Sequence, residues 1–87
     1  MHADYLPTTL EGKQHRVTEE CAEVIKELAK IGRFGLLSRH PDGGPTNLEA
    51  LLDEMTDLEH AISEFRNDPS IVLYRKQLTY EADYEID

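Results

Sequence analysis

The chain has 87 residues, enough for one small domain spanning 1–87. A domain this small buries only roughly 60–65% of the surface its unfolded chain exposes, so a second copy is an expected source of further burial. It carries 18 Asp and Glu against 9 Lys and Arg, for a formal charge of −9. That balance excludes a face for a nucleic acid polymer or an anionic membrane, both of which need basic residues. An acidic chain still binds a polyphosphate when divalent cations stand between them. The single cysteine, Cys21, leaves no disulfide framework within a chain, and no stretch reads as a signal or a membrane span, so the expected location is cytoplasmic.

In chain order, the first predicted helix runs from about Thr9 to Gly32 or Phe34. Val17, Cys21, Val24, Leu28 and Ile31 recur at 4-3-4-3 spacing, one stripe of an amphipathic helix. This stripe is the expected core, with Cys21 inside it as a small hydrophobe. Gly32 and Gly35 bracket the end. The segment GLLSRHPDGGP then predicts an irregular loop, with Leu36 and Leu37 folded back over the core. Thr46 or Asn47 is the expected N-cap of a second helix, about Leu48 to Arg66, whose stripe is Leu48, Leu51, Met55, Leu58, Ile62 and Phe65. Asp68-Pro69 ends it and starts a third helix, with a broad apolar face of Ile71, Val72, Leu73, Tyr74 and Leu78. Residues 79–87 read as a fraying helix end or acidic tail. No β signal appears. The expected fold is all-α: an antiparallel helical hairpin plus a third helix, assembling into a helical-bundle dimer or tetramer.

Two acid pairs lie at i, i+3 spacing, Glu20/Glu23 and Glu54/Asp57. In so acidic a chain such pairs alone mean little. Their placement means more. At about 100° per residue, each pair flanks its own apolar stripe on the same side. A local two-fold axis perpendicular to the hairpin plane keeps both pairs on one face. Each pair also lies roughly 13–15 Å from the loop end of the hairpin. Four carboxylates gathered there repel unless cations neutralise them. Hard oxygen ligands suit Mg²⁺, with Mn²⁺ the alternative, and both ions take up substrate phosphates. Arg16 and Lys30 lean over the same face as phosphate-binding candidates, and Arg33 and Arg39 near the helix end and loop are further ones. The bland alternative for Arg16 is an i, i+4 ion pair with Glu20. Glu27 lies on the metal face one turn past Glu23; with Lys26 and Lys30 it reads as surface charge, the alternative being an outer acid that supports the metal site. None of His15, His40 or His60 has a zinc-like partner spacing.

Glu19-Glu20-Cys21-Ala22-Glu23 fits EExxE, and Glu54-Met55-Thr56-Asp57 fits ExxD. In order, on helices joined by a Gly/Pro loop, they resemble the signature of the all-α NTP pyrophosphatases, and MazG-like proteins in particular, phage-encoded ones included. The resemblance covers roughly Arg16 to Phe65. It implies Mg²⁺-dependent hydrolysis of a (deoxy)nucleoside triphosphate to the monophosphate and pyrophosphate, in dimers or tetramers. It makes Glu20, Glu23, Glu54 and Asp57 the metal ligands and gives Glu19 an auxiliary catalytic part in orienting water beside Glu20. A chain this short implies a site completed across a homodimer. Two rival readings are a phosphoribosyl-ATP pyrophosphatase and a helical dimerisation module whose acids serve solubility.

Overall fold

Thr9 opens the first helix by accepting a bond from the Gly12 N–H through its side-chain oxygen, which satisfies one of the helix's unpaired first-turn donors. In the computed structural model, which describes residues 6–86 and the side chains of 6–78, helix α1 spans Leu10–Phe34. It stops where Gly35 takes φ 94°, a left-handed value that an L side chain adopts only under strain.

The connection is not wholly irregular. Two short antiparallel strands, β1 (Arg39–His40) and β2 (Gly43–Thr46), pair Arg39 with Thr46 and His40 with Gly43. The expectation of no β structure fails here for a local reason. Pro41-Asp42 makes the turn, and Gly43 and Gly44 at φ 95° and 94° let the chain double back at once. The ribbon is fastened by the Arg39 guanidinium, which donates to the Gly44 carbonyl at 2.6 Å. Backbone bonds from Asn47 N to Ser38 O and from Leu48 N to Leu36 O, both 2.9 Å, tie the loop to the next helix. Leu36 and Leu37 do not cover the core. The Leu36 carbonyl is held by Leu48 while both side chains stay exposed.

Helix α2 (Asn47–Arg66) starts with a full capping box, in which Thr46 accepts from the Glu49 N–H and Glu49 accepts from the Thr46 N–H. The Thr46 N–H and hydroxyl, both donating to the Glu49 carboxylate, hold it below the usual range, with Arg39 adding a smaller pull. Thr46→Ala is expected to cost about 1 kcal/mol, which thermal unfolding reads as a drop of roughly 4–8 °C in a domain this size. An unchanged midpoint would mean the cap contributes nothing.

Helix α3 (Pro69–Ile86) leaves the hairpin, and the main helix packing is that of α1 on α2. Asp68 caps it by accepting from the Ser70 N–H at 2.9 Å. Asp68 also accepts from Lys13 Nζ at 2.9 Å, so the α2–α3 corner is pinned to the first turns of α1. The broad apolar face of α3 is not buried against the hairpin: Leu73, Tyr74 and Leu78 are exposed. The helix runs through the expected tail to Ile86, and the side chains of residues 79–87 lie outside the described residues.

The Lys13 ammonium and the Ser70 N–H lower the Asp68 pKa. Its contribution to stability is therefore present above the ordinary Asp value and is lost as pH falls through the lowered one. Asp68→Asn is expected to reduce the thermal midpoint at neutral pH and to flatten the acid limb of midpoint against pH. Parallel limbs for the two proteins would contradict the assignment.

The whole is a slab of 61 × 32 × 14 Å with a radius of gyration of 17.9 Å, against about 12 Å for a closed globule of this length. Its thin dimension is little more than one helix diameter. Among the described residues the buried apolar core is only Leu51 and Ala61. No helix among them is long and apolar enough to cross a membrane.

Candidate metal centre

The seam between α1 and α2 is formed only in part by the apolar stripes. On α1 the buried residues are Arg16, Glu20 and Glu27, at 5%, 4% and 6% exposure, with Val17, Val24 and Ile31 half-buried beside them. The contact face is thus turned roughly 60° from the centre of the Val17–Ile31 stripe, toward the acids. Cys21 is exposed rather than in the core, and Ile25 and Leu28 are 66% and 51% exposed. The same turn occurs on α2. Leu51, Glu54, Leu58, Ala61 and Phe65 face the seam, while Leu52, Met55 and Ile62 stay exposed. Small size explains part of this. Ala61, at 0% exposure, has no side chain beyond its methyl to hold the helices apart.

The turn brings carboxylates inward. One oxygen each from Glu20, Glu54 and Asp57 lies within 4.8 Å of the other two. Glu20 is buried, and the other two are half-buried. Glu23 is exposed at the edge and stands outside that trio, yet its charge acts on Glu54. Burial raises the Glu54 pKa above the usual carboxylate value, and the charges of Glu23, Asp57, Glu20 and Glu27 raise it further. A proton is the weak substitute for a cation at such a place.

The trio fits a small hard dication. In an octahedral Mg²⁺ shell neighbouring oxygens stand about 3 Å apart and opposite ones about 4.2 Å, so oxygens within 4.8 Å of one another close on such an ion by side-chain rotation. Three carboxylates leave further positions for water or phosphate oxygens, as Mg²⁺ prefers. Among the described residues no nitrogen or sulfur donor joins them, which disfavours zinc.

Arg16 lies one turn from Glu20 toward the start of α1. Its Nε and Nη1 are buried without a hydrogen-bond partner among the described residues, so neither makes the alternative ion pair with Glu20. A buried guanidinium left in this state is costly unless an anion reaches it. Lys30 reaches Glu27 Oε1 at 3.4 Å and remains half exposed. Arg33 is not brought to the acids. It stacks on Phe34 at 5.2 Å, about 140° round α1 from Glu20. Glu19 is exposed on the outer face of α1, about 100° from Glu20.

Two features were missed in the sequence. Glu27 is buried in the seam rather than part of the solvated surface favoured for it, and its place on the face of Glu20 and Glu23 was the signal for that. The Lys13–Asp68 pair joins residues 55 apart, and no local pattern announces it. At the loop end, beyond Glu27, a cleft of about 460 Å³ is bounded by Lys30, Phe34, Arg39, His40, Pro41 and Asn47. It offers an aromatic face, two cations and an amide to a ligand extending along the seam.

Comparison with protein-family models finds no match, and comparisons with curated proteins and with solved structures find none either.

Proposed function

We propose that the chain hydrolyses a nucleoside or deoxynucleoside triphosphate to the monophosphate and pyrophosphate, with Mg²⁺ (or Mn²⁺) held by Glu20, Glu54 and Asp57 and by Glu23 at the rim. The observation that carries the reading is the convergence of the three carboxylate oxygens within 4.8 Å at a buried seam. The inverted burial supports it. A module that used its acids only for solubility would keep them outside and its leucines inside. Here Glu20 and Glu27 are buried while Ile25, Leu28 and Met55 are exposed.

The chemistry follows from charge. A triphosphate approaching an acidic seam needs its own charge matched, and the unpartnered nitrogens of Arg16 supply buried donors one turn from Glu20. The bound cation supplies polarisation of the phosphoryl group and an ordered water. Water attacks the α-phosphorus, the α–β anhydride bond breaks, and pyrophosphate leaves with the electron pair. Glu20, or Glu19 from the outer face after a rotamer change, accepts the proton that the water gives up. The nucleoside end extends toward Phe34, His40 and Asn47. Lys30 stands between the two ends, beside Glu27.

A second copy of the chain covers the exposed apolar flank. At about 100° per residue, Cys21, Ile25 and Leu28 on α1 and Met55 and Ile62 on α2 share one side of the hairpin plane, and Glu23 and Asp57 share the other. A homodimer, or a tetramer built from dimers, thereby buries the flank and leaves the acidic side open to substrate.

The test is pyrophosphate release from each of the eight common NTPs and dNTPs with Mg²⁺, with phosphoribosyl-ATP as a further arm. Turnover of at least one triphosphate, lost in Asp57→Asn with helical content unchanged, is expected. Turnover of phosphoribosyl-ATP alone would move the assignment to that activity. No pyrophosphate from any of them would end the proposal.

A further inference from the structure

We propose that α3 is an exchanged arm: each copy of the chain lays its α3 along the apolar flank of a second copy, in the groove between that copy's α1 and α2. The arm belongs to the homodimer inferred above and rests on that reading's second copy, not on its cation.

The arm needs a cover that its own chain does not supply. Val72, Leu73, Tyr74 and Leu78 are exposed. At about 100° per residue they fall on several sides of α3. A helix that is apolar all round is a buried helix. Only Asn67 and Asp68 separate α2 from α3, too short a link for α3 to fold back freely. Asp68 is moreover fixed by Lys13 Nζ and by the Ser70 N–H, both at 2.9 Å. The direction of the arm is set, and the cover comes from another molecule.

The flank offers a matching groove. On α1, Gln14, Thr18, Cys21, Ile25, Leu28 and Gly32 follow at 4-3-4-3-4 spacing, all exposed and none charged, in a chain with 31% charged residues. On α2, Leu48, Leu52, Met55 and Ile62 keep the same spacing, broken by Glu59. Rows with this heptad spacing are seams for a further helix lying nearly parallel. Two such rows on helices about 8–10 Å apart leave room for one helix between them. The arm is about 27 Å long, enough to follow the row from Thr18 to Gly32, about 21 Å. A cleft of about 340 Å³ bounded by Ile62, Arg66 and Arg75 joins the flank to the base of the arm, where two exchanged arms cross.

Charge and area favour this occupant. Residues 69–78 carry Arg75 and Lys76 and no acid, whereas residues 47–66 carry six acids and Arg66 alone. The arm is thus drawn to the partner's α2. Packing flank on flank instead sets Glu59 among apolar side chains and leaves α3 bare. At roughly 100 Å² for each half-exposed large side chain, arm and flank together offer about 900 Å² per copy, about 1,800 Å² in a pair, the size of a stable interface.

The experiment is sedimentation equilibrium of the full chain without metal. The wild type is expected to be a dimer, and Leu73→Glu a monomer at micromolar concentration with unchanged helical content. An equimolar mixture of Leu73→Glu with Leu28→Glu is expected to recover a dimer, because one arm and one flank in each mixed pair are intact. A mixture that stays monomeric would overturn the exchange, since flank-on-flank packing is broken in every pair. A Leu73→Glu protein that dimerises like the wild type would overturn it too and leave the flank as the interface. A monomeric wild type would remove arm and dimer together and leave the hydrolase reading to the pyrophosphate assay. Leu78→Glu replaces Leu73→Glu in the mixture if that variant loses helix.

Discussion

Replacing Glu54 by Gln is expected to stabilise the metal-free protein while abolishing its response to magnesium. The two effects have opposite signs and one cause. Burial and four neighbouring carboxylates raise the Glu54 pKa. The folded state therefore binds this proton more tightly than the unfolded chain does. Without metal, the stabilisation from protonating Glu54 is present at low pH and is lost as pH rises through the raised value. Glutamine has the shape of the protonated acid, so the variant keeps that stability at neutral pH. The wild type is expected to recover it from a cation instead. At free Mg²⁺ a hundredfold above Kd the gain is about 2.7 kcal/mol, or roughly 10–20 °C in the thermal midpoint. The variant should show a higher midpoint without metal, no rise with it, and turnover reduced by about 100-fold or more, since even outer-shell partners of metals cost up to that. A midpoint that rises with Mg²⁺ in both proteins would mean the ion binds elsewhere.

The second large effect concerns the uncovered flank. Leu28→Glu and Met55→Glu are each expected to turn a dimer into a monomer at micromolar concentration. Both side chains are about half exposed in the single chain, at 51% and 41%. Covering half a leucine is worth about 1 kcal/mol, and a two-fold interface counts it twice. A glutamate there adds the cost of desolvating a charge. Together these raise Kd by at least about 100-fold. Sedimentation equilibrium reads the change. The slab's thin core also predicts that the thermal midpoint of the wild type depends on protein concentration, and that neither variant's does. A wild type that is already monomeric would remove the dimer and leave the metal centre to be judged by itself.

How far the sequence revealed this molecule depends on which interaction decided each feature. Helix ends were legible because their determinants are local. Thr9, Gly35, Thr46 and Asp68 each act within a few residues, and each does what its type predicts. The ribbon was missed because the same Gly and Pro residues that forbid a helix also permit a tight hairpin. The core was misjudged for a deeper reason. Periodicity locates an apolar face but not what covers it, and on both helices that face was assigned to the partner helix in the same chain. The structure shares the seam between Leu51, Leu58 and Phe65 of the expected stripe and Arg16, Glu20, Glu27, Glu54 and Ala61, and leaves Cys21, Leu28 and Met55 outside. Convergence of Glu20, Glu54 and Asp57 was legible from the repeated wheel pattern, because a two-fold hairpin carries equivalent positions to one place. Arg16 was legible by position, and its lack of a partner was not, since that depends on distances across the seam.

Hydrolysis in ¹⁸O-labelled water tests the central claim most directly. With Mg²⁺ and the best triphosphate substrate, mass spectrometry of the products should find the label in the nucleoside monophosphate and none in pyrophosphate, because water bonds to the α-phosphorus. Label in pyrophosphate, release of orthophosphate in its place, or no hydrolysis of any triphosphate would contradict the assignment of these carboxylates to that reaction.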